Sequence, residues 1–248
     1  MPFNALIIGA SSTIAQAITT LLVKDPDCQR VFTVSRTAVN FSAHKVTSLL
    51  SDYSQTSIES VCHTLLAYTG TIDKVIICNG VLHQDISNSM SQQSLQMPEK
   101  KLEDINAKQL ADCYQSNSII PMLWISRLLP ILKREKAVKV AVFSARIGSI
   151  SDNKTGGWYS YRASKAALNM LIQNSAIEYA RRAPNVKLIA FHPGTTDTPL
   201  SKPFQRNVAK GKLFSAEFVA ERVLSVLDKA EPDQQAAFLD WDNKAIEW

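Results

Sequence analysis

The chain has 248 residues, of which 46% are hydrophobic and 20% charged, a composition that fits one globular domain over residues 1–248 with a substantial core. Its 27 basic and 22 acidic residues give a formal net charge of +5, but the basic residues are dispersed, which argues against nucleic-acid binding. Neither an apolar run long enough to span a bilayer nor a signal-peptide pattern occurs. We therefore expect a soluble, cytoplasmic protein with no nucleic-acid or membrane partner.

The four cysteines are scattered and form no C-x-x-C pair, so we expect free thiols that behave as small hydrophobic side chains. The four histidines show no metal-ligand spacing relative to one another. The sequence thus predicts no bound metal.

Short β-branched runs alternate with longer stretches whose apolar residues recur at helical spacing. The runs lie at residues 5–8, 31–34, 45–49, 74–78, 138–143, 186–191 and 237–239. The helical stretches lie at residues 14–23, 58–68, 110–132, 163–179 and 218–227. This alternation predicts an α/β fold, a doubly wound parallel sheet of about seven strands flanked by helices.

Two segments, 83–106 and 195–211, lack such periodicity and are predicted to be loops that shape a substrate pocket. The second is followed by Ser215, which has the character of a helix N-cap, with Glu217 in the first turn of the helix. Loop composition does not encode the shape of a pocket, so the substrate itself is not predicted.

The first predicted strand leads directly into Gly9-Ala-Ser-Ser-Thr-Ile-Ala15 and then into a helix. A strand, turn and helix in this order can place a pyrophosphate at the helix N-terminus, where backbone N–H groups point at it. Gly9 removes a side chain where the chain turns, and Ser11 and Ser12 can add hydroxyl donors. A turn that merely caps an ordinary helix would have a similar sequence.

Tyr161 and Lys165 are four residues apart within a predicted helix, so both side chains lie on one face. A nearby ammonium group favours the phenolate, and we expect it to lower the pKa of Tyr161 from its usual value of about 10. This pair can therefore serve as a general acid and base.

The run from Gly156 to Asn169 around this pair is very similar to the short-chain dehydrogenase/reductase family, in its carbonyl-reductase-like branch, which also includes a bacterial cell-contact signalling factor. The resemblance implies a Rossmann-like fold, with Tyr161 as the proton donor or acceptor at the substrate oxygen and Lys165 also holding the nicotinamide ribose hydroxyls. It also implies a homodimer or homotetramer, with the helices that carry Asn117 and Tyr161 commonly at the interface.

The resemblance assigns further residues to a nicotinamide dinucleotide. No acidic residue ends the second strand; Ser35 and Arg36 stand there instead, and they favour NADP over NAD. The family's first turn has three glycines, of which this chain keeps only Gly9; Thr13 and Ala15 stand at the other two positions. A β-branched residue such as Thr13 would be strained there if its φ were positive. The remaining positions assigned to the cofactor are Ile14, Asp52, Asn79, Gly80, Pro193, Gly194, Thr196 and Thr198. His192, which directly precedes Pro193, is expected to pack rather than to act in catalysis.

Asn117 matches the family's central-helix asparagine in a proton relay near Lys165, although a structural role would also explain a polar residue there. The family's catalytic serine aligns with Ala145, which has no hydrogen-bond donor. Ser144 is the candidate substitute if the strand end twists, and Ser149 and Ser151 could instead reach in from the loop.

The sequence thus favours an NADP-dependent oxidoreductase that transfers a hydride between nicotinamide and a carbonyl or alcohol. The alternative is a cofactor-binding regulatory or signalling protein with little turnover, and it is motivated by Thr13, Ala15 and Ala145.

Overall fold

A computed structural model of the chain describes residues 2–41, 43–87 and 93–248. Its strands are β1 (Phe3–Ile8), β2 (Cys28–Ser35), β3 (Val46–Leu50), β4 (Ile72–Ile77), β5 (Gln84–Ser87), β6 (Gln93–Gln96), β7 (Val138–Phe143), β8 (Val186–His192), β9 (Thr195–Thr196), β10 (Leu213–Phe214) and β11 (Ala237–Asp240). Seven of them form one parallel sheet in the order β11-β8-β7-β4-β1-β2-β3. The predicted doubly wound, Rossmann-like sheet is confirmed.

The α-helices cover both faces of this sheet. They are α1 (Thr13–Lys24), α2 (Gln55–Leu65), α3 (Ala107–Tyr114), α4 (Ile120–Leu132), α5 (Tyr159–Arg182) and α6 (Ala216–Lys229). Buried side chains of α2, α4 and α5 pack on one face, and those of α1 and α6 pack on the other. Because both faces are covered, the central strands are continuous apolar runs rather than alternating ones. In β1, for example, Leu6 and Ile8 face the first layer while Ala5 and Ile7 face the second.

The long helix predicted over residues 110–132 is interrupted. A π-helical segment, Gln115–Ile119, separates α3 from α4. Pro121, at the start of α4, has no N–H to donate to the Asn117 carbonyl four residues earlier, and its ring would meet that carbonyl. Regular α-helical hydrogen bonding therefore cannot continue through Asn117, and the chain accommodates one wider turn there.

The prediction of a loop throughout residues 83–106 was wrong. Strands β5 and β6 pair in an antiparallel hairpin, and a 3₁₀ turn, Leu102–Asp104, follows. Backbone hydrogen bonds hold such a hairpin together without the long apolar run that sequence periodicity detects. Residues 88–92 lie outside the described part of the chain. Within 195–211 the structure has β9, which pairs with β10, and a 3₁₀ helix, Lys202–Asn207.

Local features otherwise follow the sequence. The Ser215 hydroxyl accepts the Phe218 N–H at the start of α6, which confirms the predicted N-cap. The cysteines are free: Cys28, Cys62 and Cys113 are buried, and Cys78 is partly exposed.

In the described residues no helix has both the length and the apolar character to cross a bilayer, and the cytoplasmic location stays a prediction. The same residues contain no cluster of three or more His, Cys, Asp or Glu side chains suited to a metal.

The buried Asp73 carboxylate makes stability depend on pH. It accepts hydrogen bonds from Arg134 Nη2 at 2.8 Å and from the Asn4 N–H at 2.8 Å, and it pairs with Lys136 Nζ at 2.6 Å. Burial alone would raise the pKa of Asp73, but the Lys136, Asn4 and Arg134 donors together lower it. A carboxyl whose pKa is lower in the folded state stabilises that state above its unfolded pKa, and this contribution is lost as the pH falls through the folded pKa.

We therefore predict that Asp73→Asn lowers the free energy of unfolding at pH 6 by about 1–3 kcal/mol, because charged hydrogen bonds are lost. We also expect its stability to fall less steeply than that of the wild type as the pH drops from 6 to 3. Urea unfolding across this range measures both quantities. Asp228→Asn is the matched control, since Asp228 pairs with Lys74 but is 61% exposed. Equal pH slopes for wild type and Asp73→Asn would contradict the prediction.

Candidate active site

Two adjoining cavities open at the carboxyl ends of the central strands, where ligands bind in open α/β sheets. The smaller has a volume of about 300 Å³ and the larger about 560 Å³. The residues that line both are Ile14, Ser144, Tyr161, Pro193, Thr198 and Leu200. Tyr161 therefore stands at the junction of the two cavities.

The turn after β1 forms one wall of the smaller cavity. Ser11, Ser12, Thr13 and Ile14 line it, and the Ser12 hydroxyl caps α1 by accepting the Ala15 N–H at 3.4 Å. Thr13 is the first residue of α1 and does not have a positive φ, so the strain considered for a β-branched residue there does not arise. With Thr13 in place of the second glycine of the turn, α1 still begins as a regular helix whose N-terminus faces the cavity.

Two glycines allow the backbone and the polar groups around this cavity to approach closely. Gly9 has φ +81°, and a Cβ on it would lie 3.1 Å from the Asn79 nitrogen. A Cβ on Gly80 would lie 3.3 Å from Asn117 Oδ1 and 3.4 Å from Lys165 Nζ. Asn79 and Gly80 line the smaller cavity, while Gly9 lies behind it and sets the turn. The two glycines therefore keep open the space between β1, β4 and α5.

Tyr161 and Lys165 lie on the first turns of α5, and both line the smaller cavity, as the spacing predicts. Lys165 Nζ donates to the Phe143 carbonyl oxygen at 2.8 Å and lies 6.0 Å from the centre of the Tyr161 ring. A Cβ on Gly148 would lie 2.8 Å from the Lys165 carbonyl carbon, so the chain after β7 packs directly on α5 at this lysine. The ammonium group is thereby fixed between the end of β7 and the cavity.

The electrostatic expectation for Tyr161 was wrong in sign. Burial, together with the nearby Cys113 thiol, raises the pKa of Tyr161 above its usual value. Burial lowers the pKa of Lys165 to about 8, against a smaller opposing effect of Cys113. Desolvation dominates for both groups, and the ammonium, 6.0 Å from the ring centre, bonds to a backbone oxygen rather than to the phenol. The phenol is therefore protonated at neutral pH, as a proton donor must be.

A buried glutamate that the sequence analysis missed holds the beginning of α5. Trp158, just before the helix, has φ +51° and donates its N–H to the Glu99 carbonyl oxygen at 2.6 Å. The Glu99 carboxylate accepts the Ser160 N–H at 3.2 Å and also the Ser160 hydroxyl. A carboxylate at a helix N-terminus satisfies free N–H groups and complements the helix dipole. Glu99 thus fixes the turn that carries Tyr161.

Asn117 lies in the π-helical segment and is completely buried. Its Oδ1 accepts the Val81 N–H at 2.7 Å, and its Nδ2 donates to the Val81 carbonyl oxygen and to Ser164 Oγ, both at 2.9 Å. The side chain thus joins the chain after β4 to α5, beside Lys165. Its amide group is hydrogen-bonded within the protein, as a structural role requires, and the proton relay stays a prediction.

None of the three serines considered in place of Ala145 is set to donate to a substrate. Ser144 lines both cavities, but its hydroxyl donates to Asn169 Oδ1 at 2.6 Å. Ser149 and Ser151 are absent from both linings. Ser149 Oγ accepts the Asp152 N–H, and Ser151 Oγ donates to the Trp248 carbonyl oxygen. Ala145 itself lines the larger cavity.

The larger cavity is mainly apolar, and its lining includes aromatic and polar residues. Trp158 and Phe204 lie with ring centres 4.8 Å apart, and Trp158 and Tyr161 at 6.3 Å. The lining also includes His192, which ends β8, and Gly194 and Thr196, which follow it. The predicted loop 195–211 therefore does shape this cavity.

Three predicted cofactor residues lie outside both linings, at the carboxyl ends of β2 and β3. Ser35 is buried and its hydroxyl donates to the Thr37 carbonyl oxygen at 2.7 Å. Asp52 is exposed and accepts the Ser54 N–H at 2.8 Å. Arg36 is exposed and forms no ion pair within the described part of the chain. The turn at Gly9 contacts this edge, since the Gly9 and Ala10 N–H groups donate to the Val34 carbonyl oxygen.

Comparison with known proteins agrees with this arrangement. The sequence model of the short chain dehydrogenase family matches residues 4–209. A 1-hydroxy-2-glutathionyl-2-methyl-3-butene dehydrogenase from Rhodococcus sp. (strain AD45) is 28% identical over 195 residues, 79% of this chain and 76% of that protein. The C-signal protein of Myxococcus xanthus is 28% identical over 147 residues, 59% of this chain and 83% of that protein.

Among solved structures, the NADPH-bound carbonyl reductase from chicken fatty liver superposes with a TM-score of 0.81 at 20% identity, covering 100% of this chain and 94% of that one. The family match spans most of the chain and includes the turn after β1, the Tyr161–Lys165 pair and the segment after β8. The chain therefore belongs to the short-chain dehydrogenase/reductase family of NAD(P)-dependent enzymes.

Proposed function

We propose that this protein, acting as one dinucleotide-binding domain over residues 1–248, is an NADP-dependent oxidoreductase that interconverts a carbonyl compound and its alcohol. The observation that carries the proposal is the place of Tyr161 at the junction of two cavities, with Lys165 on the same helix face. The smaller cavity would take the nicotinamide end of the cofactor, and the larger would take the substrate. The phenol can then reach a substrate oxygen.

The residues around the smaller cavity fit a dinucleotide. The α1 N-terminus presents backbone donors for phosphates, with the Ser11 and Ser12 hydroxyls beside them. Asn79 Oδ1 is a buried acceptor without a hydrogen-bond partner among the described residues, so it can accept a bond from a ligand. Gly80 leaves room that a side chain would fill. Pro193 and Thr198 also line this cavity.

A bound nicotinamide cofactor supplies the hydride. In the reducing direction Tyr161 donates its phenolic proton to the substrate oxygen, and its raised pKa keeps that proton in place until an acceptor is bound. Lys165 would hold ribose hydroxyls and stabilise the negative charge that develops on the phenol oxygen. Asn117, through its bonds to Val81 and Ser164, keeps α5 and the end of β4 in register beside Lys165. We assign it this positioning role and retain the proton relay as part of the proposal.

The preference for NADP over NAD rests on Arg36, with Ser35 beside it. An exposed arginine without an ion pair in the described chain, next to the turn at Gly9, can bind a 2′-phosphate with a planar pair of donors. Asp52 would contact the adenine side from the neighbouring strand end. We predict that Arg36→Glu weakens NADPH binding about 10- to 100-fold, because one charge-assisted contact becomes a repulsion.

NADH binding should stay within about 3-fold in Arg36→Glu, since NADH carries no 2′-phosphate. Fluorescence titration with both nucleotides measures this difference. The matched control is Arg30→Glu on the same strand, where the arginine bonds to Tyr68 away from the site. Equal weakening of both nucleotides, or of neither, would contradict the assignment to Arg36.

The test of the function itself is NADPH oxidation at 340 nm with aldehydes, ketones and quinones as substrates. Turnover with product alcohol supports the reductase. Tight NADPH binding without turnover would instead support the regulatory alternative. Ala145 still favours that alternative, whereas Thr13 does not, because its φ is not positive and its backbone is unstrained. Absence of binding by either nucleotide would contradict both functions.

We also infer a homodimer or homotetramer that assembles through the helices carrying Asn117 and Tyr161. Large apolar side chains on these helices support it: Ile119 is 43% exposed, Met170 60% and Ile177 55%. Met170 and Ile177 are seven residues apart on α5 and therefore share one face. Burial of these side chains against a second copy would remove apolar surface from water.

A further inference from the structure

The larger cavity lacks the hydrogen-bond donor that the family places at the position of Ala145. The Ser144 hydroxyl already donates its hydrogen to Asn169, and Ser149 and Ser151 do not line the cavity. A reaction that places negative charge on a substrate oxygen is slowed when only one donor meets that oxygen. If the protein is a reductase, another group should supply the second donor.

His192 is the residue placed to do so. It ends β8, whose partner β7 leads into Ser144 and Ala145. The Ser144 N–H donates to the Phe191 carbonyl oxygen at 2.8 Å, so the two segments of backbone stay paired beyond Phe143. His192 therefore lies next to the end of β7. His192 lines the larger cavity together with Ala145 and Tyr161. It therefore borders the same cavity as Ala145, the position of the missing hydroxyl.

The imidazole of His192 has hydrogen-bonding capacity that the protein does not use. Its Nδ1 is buried without a partner, and within the described chain no hydrogen bond to Nε2 occurs either. Burial, with a smaller contribution from Arg146, lowers the pKa of His192 to about 4 against the opposing charge of Asp240. The ring is therefore neutral at pH 7, with one N–H donor and one acceptor nitrogen. Buried polar groups of this kind usually have a partner, and a ligand can provide it.

We propose that His192 is a second catalytic hydrogen-bond donor, whose ring N–H meets the substrate oxygen that Tyr161 protonates, in place of the serine replaced by Ala145. The inference rests on the proposed function. As the carbonyl carbon accepts the hydride, the oxygen takes the Tyr161 proton, while His192 keeps its own proton and stabilises the developing charge. This proposal differs from the expectation that His192 packs rather than acts in catalysis.

Thr196 is the competing donor. It also lines the larger cavity, and its buried Oγ1 has no hydrogen-bond partner in the described chain. However, it lies in β9, which pairs with β10, whereas His192 ends β8, the neighbour of the strand β7 that leads to Ala145. The structure thus favours His192, and Thr196 becomes an arm of the test.

The experiment compares His192→Phe, Ala145→Ser, the double variant and Thr196→Val with the wild type. Each is assayed for kcat with saturating NADPH and 4-nitrobenzaldehyde as the probe. We expect His192→Phe to lower kcat about 10²-fold, as removal of one such donor does. Ala145→Ser alone should stay within about 3-fold of wild type, because the second donor is already present. The double variant should recover most of the activity lost in His192→Phe.

NADPH binding, measured by fluorescence, should be unchanged in His192→Phe, Ala145→Ser and the double variant, which separates loss of a donor from loss of structure. His192→Gln, which retains an N–H donor, should keep more activity than His192→Phe, and it replaces that variant if phenylalanine does not fold. Wild-type kcat in His192→Phe, or a 10²-fold gain in Ala145→Ser, would overturn the inference while leaving the reductase intact. A loss confined to Thr196→Val would transfer the role to Thr196. NADPH binding by a wild type without turnover on any carbonyl would overturn the proposed function and this inference together.

Discussion

Replacing Tyr161 with phenylalanine is expected to lower kcat for NADPH-dependent carbonyl reduction by about 10²- to 10⁴-fold, the range for loss of a general acid. The substitution removes one oxygen from a ring that lines both cavities and leaves the packing against Trp158 in place. NADPH binding should therefore change by less than about 3-fold, because the cofactor cavity keeps its shape. Steady-state kinetics and a fluorescence titration measure the two effects separately.

The matched control is Tyr159→Phe. Tyr159 begins the same helix, two residues earlier, and lies outside both cavity linings. It should retain wild-type kcat and NADPH binding. If both substitutions left kcat unchanged, the proton would have to come from another group, and the assignment of Tyr161 would be wrong. If both abolished it equally, the loss would reflect damage to α5 rather than loss of the phenol.

Lys165→Met is expected to have the second large effect, on both binding and turnover. Lys165 is buried, and its ammonium lies at the edge of the smaller cavity, beside Gly80 and Asn117. Hydrogen bonds from a charged group contribute about 1.5–3 kcal/mol, so NADPH affinity should fall about 10- to 150-fold. The kcat should fall further, because the negative charge on the Tyr161 oxygen loses its stabilising cation.

Two comparisons separate charge from packing at Lys165. Lys165→Arg keeps a cation but not the shape of the ammonium, and we expect part of the NADPH affinity to return. Lys139→Met, on β7 next to the exposed Glu231, removes a cation away from both cavities and should have no effect. Unchanged NADPH affinity in Lys165→Met would contradict the contact with the cofactor.

The fold was predictable because the sheet is buried on both of its faces and each helix is buried on one face. Continuous apolar runs such as that of β1, and helical spacing such as that of α6, are local patterns that burial imposes on the sequence. The interruption of the central helix at Asn117 was missed although Pro121 is a local signal for it. The β5–β6 hairpin was missed because backbone pairing between polar segments leaves little periodicity.

The candidate site was predictable where it depends on local spacing and not where it depends on distant contacts. The Tyr161–Lys165 pair and the turn at Gly9 are each contained in a few residues. The support of α5 by Glu99 joins positions 61 residues apart, and no local pattern announces it. The direction of the Tyr161 pKa shift is set by burial, which spacing along the sequence does not measure.

The central claim, hydride transfer between nicotinamide and a carbonyl carbon, is tested most directly with NADPH deuterated at C4. The protein is incubated with the labelled cofactor and 4-nitrobenzaldehyde, and the alcohol is analysed by mass spectrometry. We predict one deuterium on the carbinol carbon of the product, formed at least about 10²-fold more slowly by Tyr161→Phe than by the wild type. Tight binding of the labelled cofactor with no deuterium in any alcohol, across aldehydes, ketones and quinones, would contradict the assignment as a reductase.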